Sequence, residues 1–540
     1  MTGGQAIVRS MRAHGVDTVF GLPGVQLDHL FNALHDEGNA IRVLQPRHEQ
    51  GAGYMALGYA QSTGRPGVYA VVPGPGLLNT TAALATAYAC HAPVLALTGQ
   101  IAAAAIDQGY GLLHEIPDQL GLIRRLTKWA ARIDHPSAAP RLVGEAFAAM
   151  LGGVRGPVEV EMAMDTLGVE APVTLLDPQA PPPPPEPDPE AIVRAAKLLA
   201  AAERPLIVCG GGAVDAADEL LRVAEMLQAP VVAHRLGRGV VSDRHYLSHT
   251  QPVGHRLWAD ADAVLAVGTR LQQHRMTWGT DANLQIVRID LEPTQMYRLG
   301  RPAVGIVADA APALAALADA LETVNRKRPS RKDELEGLKA AVMADLASRL
   351  GPQCAFIDAL RAALPEDGFF VDELTQVGYV ARSVFPVYRP RSYVSTGYQG
   401  TLGAGFATAL GVKVANPDRA VLSISGDGGF MFNVQELASA VQHGIDVVAV
   451  VFDDGAYGNV RRMQEDLYGG RVIASDLRNP DFVKLAESFG AHGTRVETPA
   501  ALRTAVERAL ARPGTTLIHV PVGKLPDPWG VSQPMSRARP

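Results

Sequence analysis

Two acidic turns stand out as places where chemistry could happen: Gly426-Asp427-Gly428-Gly429 and Asp453-Asp454-Gly455-Ala456-Tyr457-Gly458. Each follows a run of β-branched and apolar residues, Ala420–Ser425 and Asp446–Phe452, and a helical pattern over Val434–His443 separates them. Strands joined in this way are parallel and deliver their C-terminal ends to one sheet edge, where ligands bind. Glycines let backbone amides approach a phosphate, and a helix N-terminus adds partial positive charge. Asp427 and Asp454 can then meet on one divalent ion. Mg²⁺ suits such a place, because it takes oxygen ligands from one or two carboxylates, a carbonyl and phosphates. A lone Gly-Asp-Gly is more often a tight turn; the second acidic turn one unit later changes the balance. Glu49, in Arg47-His48-Glu49-Gln50-Gly51-Ala52-Gly53, follows an apolar run and opens a small-residue helix. Alone it would merely favour the helix dipole.

The elements that must position these residues fall into three blocks, 1–170, 188–325 and 352–525. The proline-rich run 176–190 favours extended backbone and separates the first two. The charged stretch 325–339 separates the second from the third and runs into a solvated helix. In block one, Gly67–Val72 and Pro93–Leu97 are predicted strands flanking a helix over Asn79–Cys90. In block two, Pro205–Cys209, Ala263–Val267 and Gln285–Ile289 are predicted strands. Alternation of this kind defines an α/β protein of three doubly wound parallel-sheet domains. Blocks one and three share a plan, as an internal duplication would produce.

Taken together, the paired acidic turns and Arg47–Gly53 resemble the thiamine-diphosphate-dependent superfamily, and the domain order resembles its acetolactate synthase-like group, with pyruvate decarboxylase and benzaldehyde lyase as relatives. The resemblance implies that 1–170 binds the pyrimidine and 352–525 the diphosphate. It makes Asp427, Asp454 and the Ala456 carbonyl the ligands of Mg²⁺, with Gly426, Gly428, Gly429, Tyr457 and Gly458 around the diphosphate. Asp453 stands where the family usually has Asn; its extra charge either tightens the metal or lies solvated. Glu49 becomes the glutamate that hydrogen-bonds the cofactor's N1′ and drives its imino tautomer, and burial would let it share a proton near neutral pH. Pro73 to Asn79 resembles the loop beside the active site. Ser395–Gly403 resembles the loop that bends the cofactor, where the Gly400 carbonyl accepts from the 4′-amino group and Leu402 wedges between the rings. In this family the two cofactor-binding domains come from different subunits, which implies a homodimer or homotetramer with shared sites.

Substrate positions depart from the synthase pattern. Leu271-Gln272-Gln273-His274 replaces a Phe-Asp-Asp-Arg run whose Arg grips the second substrate's carboxylate. His114-Glu115 replaces Phe-Gln, Val25-Gln26 replaces Gly-Ala, and Met463 replaces a Trp. Lys128 stands where synthases also carry a lysine. Gln26, His114, Glu115 and Gln399 are therefore the candidates for substrate contact or proton transfer, and an imidazole suits the latter. The implied activity is decarboxylation of a 2-oxo acid, with ligation to an aldehyde or ketone giving a 2-hydroxyketone or acetohydroxy acid. The alternatives are a lyase or hydrolase acting on 2-hydroxyketones or diketones, and a non-catalytic homologue. Relatives hold FAD, ADP or nothing in the middle domain. Gly210-Gly211-Gly212 lacks the spacing of a dinucleotide fingerprint and is read as structural, which leaves that occupancy open.

The bulk properties fit. In 540 residues, 47% are hydrophobic, enough for several cores, and the net charge of −6 gives no basic excess for nucleic acid. Cys90, Cys209 and Cys354 form no paired motif, and no apolar run is long enough for a membrane span. A cytoplasmic protein without nucleic-acid or membrane partners is expected.

Overall fold

A computed structural model describes residues 1–539. Three six-stranded sheets organise the chain, all parallel in their pairings. The first contains β1 (Thr18–Gly21), β2 (Arg42–Leu44), β3 (Gly67–Val71), β4 (Val94–Gln100), β5 (Trp129–Ile133) and β6 (Val158–Ala163), in the order β2-β1-β3-β4-β6-β5. The second contains β7 (Pro205–Cys209), β8 (Val231–Ala233), β9 (Ser248–His249), β10 (Ala263–Val267), β11 (Gln285–Asp290) and β12 (Val304–Val307), ordered β12-β11-β10-β7-β8-β9. The third contains β13 (Phe369–Val371), β14 (Tyr393–Val394), β15 (Val421–Gly426), β16 (Val448–Asp453), β17 (His492–Arg495) and β18 (Thr516–Pro521), ordered β14-β13-β15-β16-β18-β17. The first and third sheets thus have the same strand order, as the shared plan of the two blocks implies.

The central strands, such as β15 and β16, are buried on both faces along nearly their whole length, because helices cover both faces of a parallel sheet. The first and third domains share one core, in which Phe20, Tyr54 and Leu57 pack with Phe406, Leu410 and Phe430. The middle domain has its own core around Trp258 and Trp278. Two small-residue helices, Glu49–Thr63 and Ala404–Ala415, carry the shared contact. A side chain at Gly58 would overlap the Thr408 carbonyl, and one at Gly411 would overlap that of Met55. The crossing therefore brings backbone against backbone.

Two helix boundaries differ from expectation. The helix expected over Asn79–Cys90 starts at Thr81, after a separate turn Pro75–Asn79 that Pro75 opens without losing an amide bond. The helix expected from Val434 begins at Glu436, because Asn433 turns inward to donate to the Gly403 carbonyl at 2.6 Å. No helix among the described residues is long and apolar enough to cross a membrane. The three cysteines are buried and unpaired.

Candidate active site

Strand register brings the acidic turns together. Gly426 pairs with Phe452, so Asp427 lies beside Asp453 just beyond the sheet edge. Burial, then repulsion by the Asp454 and Asp453 carboxylates, pushes the Asp427 carboxyl up to about 7 against a hydrogen bond from Asn479. Asp454 is raised by burial too. Asn479 Nδ2 donates to Asp427 at 2.6 Å and to Asp453 at 2.8 Å. Asp453 is neither a free extra charge nor solvated: His519 Nε2 lies 2.9 Å from it, and the Gly455 amide donates to it at 3.0 Å. That pairing holds its carboxyl below the usual range.

Two carboxylates forced together at a buried edge fit a divalent cation, which would remove the repulsion. No group of three His, Cys, Asp or Glu side chains is set for a metal among the described residues. A site of two carboxylates completed by the Ala456 carbonyl and diphosphate oxygens needs none. The cradle is equally specific. A side chain at Gly458 would overlap the Asp454 carboxylate, and one at Gly428 would lie 2.6 Å from the Tyr457 ring. Gly458→Ala is therefore expected to displace Asp454 and weaken thiamine-diphosphate binding at least about tenfold, in the range of misoriented metal ligands; calorimetric titration with the cofactor and Mg²⁺ measures this.

The pyrimidine-side residues also assemble. Glu49 follows His48, whose ring Nδ1 accepts from the Gln50 amide at 3.1 Å and caps the helix. The Glu49 carboxylate accepts from Asn79 Nδ2 at 3.0 Å. The burial expected around Glu49 is not provided by one chain, in which the residue is only half-buried. Its helix is latched to the third domain by Glu436, which accepts from the Arg47 and His48 amides. The loop Ser395–Gly403 has Gly400 and Gly403 at φ +60° and +81°, and Thr401 hydrogen-bonds Thr86 of the first domain at 3.0 Å. Leu402 is partly exposed beside them.

Of the substrate candidates, Gln26 is buried, donates to the Leu113 carbonyl at 3.2 Å and leaves its Oε1 without a partner. His114 has a left-handed backbone (φ +70°), and its Nδ1 is likewise unpartnered. Its carbonyl abuts Gly74, next to Pro73. Glu115 closes its own loop by accepting from the Gly109 and Leu112 amides at 3.0 and 2.8 Å. Gln399 is exposed. His274, in place of the synthase arginine, packs between Trp258 and Trp278 inside the middle domain. Sequence reasoning missed Gln119, which is buried and accepts from the Gly74 amide at 2.9 Å while donating to Glu161 at 2.8 Å. It also missed Gln376, whose amide grips the Asp454 carboxylate.

Comparisons with known proteins identify the family. The family models for thiamine pyrophosphate enzymes match in order: the N-terminal TPP binding domain at 1–122, the central domain at 192–317 and the C-terminal TPP binding domain at 374–520. The chain belongs to the thiamine pyrophosphate enzyme family and is a thiamine-diphosphate-dependent enzyme of the acetolactate synthase-like group. It is 34% identical over 534 residues to a probable 2-ketoarginine decarboxylase of Pseudomonas aeruginosa, covering 96% of this chain and 94% of that protein. It is 33% identical over 539 residues to a probable acetolactate synthase large subunit of Methanocaldococcus jannaschii, covering 94% and 90%. With the acetolactate synthase isozyme 3 large subunit of Escherichia coli, identity is 31% over 535 residues, covering 94% and 92%.

Proposed function

We propose that the enzyme decarboxylates a 2-oxo acid and can ligate the retained acyl unit to an aldehyde or ketone, using thiamine diphosphate and Mg²⁺. The observation that carries this reading is the juxtaposition of Asp427 and Asp454 behind a glycine cradle. Similarity along nearly the whole chain to a decarboxylase and to acetolactate synthases supports it. The cofactor supplies a nucleophilic carbon and a sink for the electron pair left by carbon dioxide. The chain's residues do the rest. Asp427, Asp454 and the Ala456 carbonyl would hold the cation. Glu49 would hold a proton for the pyrimidine. Gly400 and Leu402 would hold the rings. His114, whose Nδ1 is unpartnered, protonates the substrate oxygen, and the free Oε1 of Gln26 accepts from the hydroxyl so formed. Glu115 keeps the His114 loop closed.

The half-buried Glu49 requires a second surface, and we assign it to the third domain of a partner subunit in a homodimer or homotetramer. Leu112, Leu113, Phe432 and Val460 are exposed apolar residues that such a partner would cover. The middle sheet has the strand order of dinucleotide-binding folds, and a cleft of about 970 Å³ opens beside its β7/β10 switch point, lined by Gly211, Asp290 and Asp309. We propose that an adenine nucleotide such as ADP or FAD fits there. The free thiols suit a reducing compartment, and we place the enzyme in the cytoplasm.

Proton NMR of the enzyme with thiamine diphosphate, Mg²⁺ and a panel of 2-oxo acids, including pyruvate and 2-ketoarginine, with and without benzaldehyde, tests the reading. Loss of the acid with formation of an aldehyde or hydroxyketone is expected. An unchanged panel alongside cleavage of 2-hydroxyketones would establish the lyase instead.

A further inference from the structure

The turn after β13, Glu373-Leu374-Thr375-Gln376, touches the three third-domain loops assigned to the cofactor, at Gly400–Gly403, Gly426–Gly429 and Asp454–Gly458. Val371 pairs with Ser423 in the sheet, which brings Glu373 level with Ser425, two residues before Asp427. Glu373 is buried. Its Oε1 accepts from the Gly403 amide at 2.7 Å; its Oε2 accepts from the Gly405 amide and the Ser425 hydroxyl, both at 2.9 Å. Gly429 lies so close that a side chain there would overlap Glu373 Oε1. Leu374 abuts Gly400, and Gln376 holds Asp454.

We propose that Glu373 is a positioning residue that locks the loop bending the cofactor to the loop holding its diphosphate, and so sets the geometry in which bound thiamine diphosphate becomes reactive. This rests on the assignment above of Gly400–Gly403 and Gly426–Gly429 to the cofactor. A carboxylate is suited to the task because both oxygens accept, and three donors converge on them. Burial pushes its pKa up to about 7, and the three hydrogen bonds oppose that rise. An amide of the same shape would set its NH₂ against the amide of Gly403 or Gly405, or against Ser425. The loop would have to shift, with Leu402 on it.

The test uses the full-length holoenzyme, with thiamine diphosphate and Mg²⁺ as probes. Binding, thermal midpoint and near-ultraviolet circular dichroism of the bound cofactor are measured beside turnover per bound cofactor. For Glu373→Gln, cofactor affinity is expected to change less than about tenfold. Turnover per bound cofactor should fall roughly 100-fold, the scale of a small misplacement of reacting groups, with an altered dichroism band. A merely structural role would lower the folded fraction and leave both per-cofactor quantities alone, and that result overturns the proposal. If Glu373→Gln does not fold, Ser425→Ala removes one of the three donors; an unchanged band and turnover in that variant overturn the proposal equally. A wild-type enzyme that shows no cofactor band would instead refute the proposed function, whereas a normal wild-type band unchanged in both variants defeats this inference alone.

Discussion

Glu49→Gln is expected to lower turnover by about 10²–10⁴-fold, the range of a lost general acid–base group, while thiamine diphosphate still binds. The amide keeps the size of the side chain and can still accept from Asn79, which now donates to the carboxylate at 3.0 Å. It cannot hold a proton to share with the pyrimidine ring. His48 continues to cap the helix, so the fold around it is retained. Steady-state rates at saturating cofactor, set beside calorimetric binding, separate the two effects. Near-normal rates would remove Glu49 from the mechanism.

Asp427→Ala is expected to abolish Mg²⁺-dependent binding of thiamine diphosphate, well beyond the roughly 10–100-fold cost of disturbing groups that only support metal ligands. The apoprotein should not suffer, because the substitution relieves a carboxyl that burial and two neighbouring carboxylates already disfavour as an anion. An apoprotein thermal midpoint equal to or above the wild type, with cofactor binding lost, is the expected pair of results. Unchanged affinity with and without Mg²⁺ would refute the cation site.

Much of the fold was legible because the strands are short apolar runs bounded by glycine, and β7 and β10 carry the residue limits expected from their sequences. The two acidic turns were legible for a related reason. Their glycines are local signals, and one strand–helix–strand unit fixes which edge they share. The rest of the site depends on register between distant strands. Asp372 and Glu373 follow an ordinary buried strand, and nothing local distinguishes Glu373 from a surface acid. Its role appears only when β13 pairs with β15. The hydrogen-bond partner of Asp453, His519, comes from β18, 66 residues later, and Asn479 comes from a loop. Glu115 shows the opposite case. A polar residue beside His114 looked chemical, and its oxygens are occupied by its own loop. A sign was available at β13, β15 and β16, three neighbouring strands that end in, or run directly into, Asp or Glu at one edge.

The crossing of Glu49–Thr63 with Ala404–Ala415 has a consequence for motion. Where backbone packs on backbone through Gly58 and Gly411, no flexible side chains lie between the helices to absorb a rotation. The first and third domains of a chain should therefore diffuse and vibrate as one body. Within one chain, movement is left to segments at the rim, such as the helix Gly458–Leu467, which turns Met463 and Leu467 outward. Amide exchange should then be fast along that rim helix and slow through both crossing helices, with substrate traffic timed by the rim.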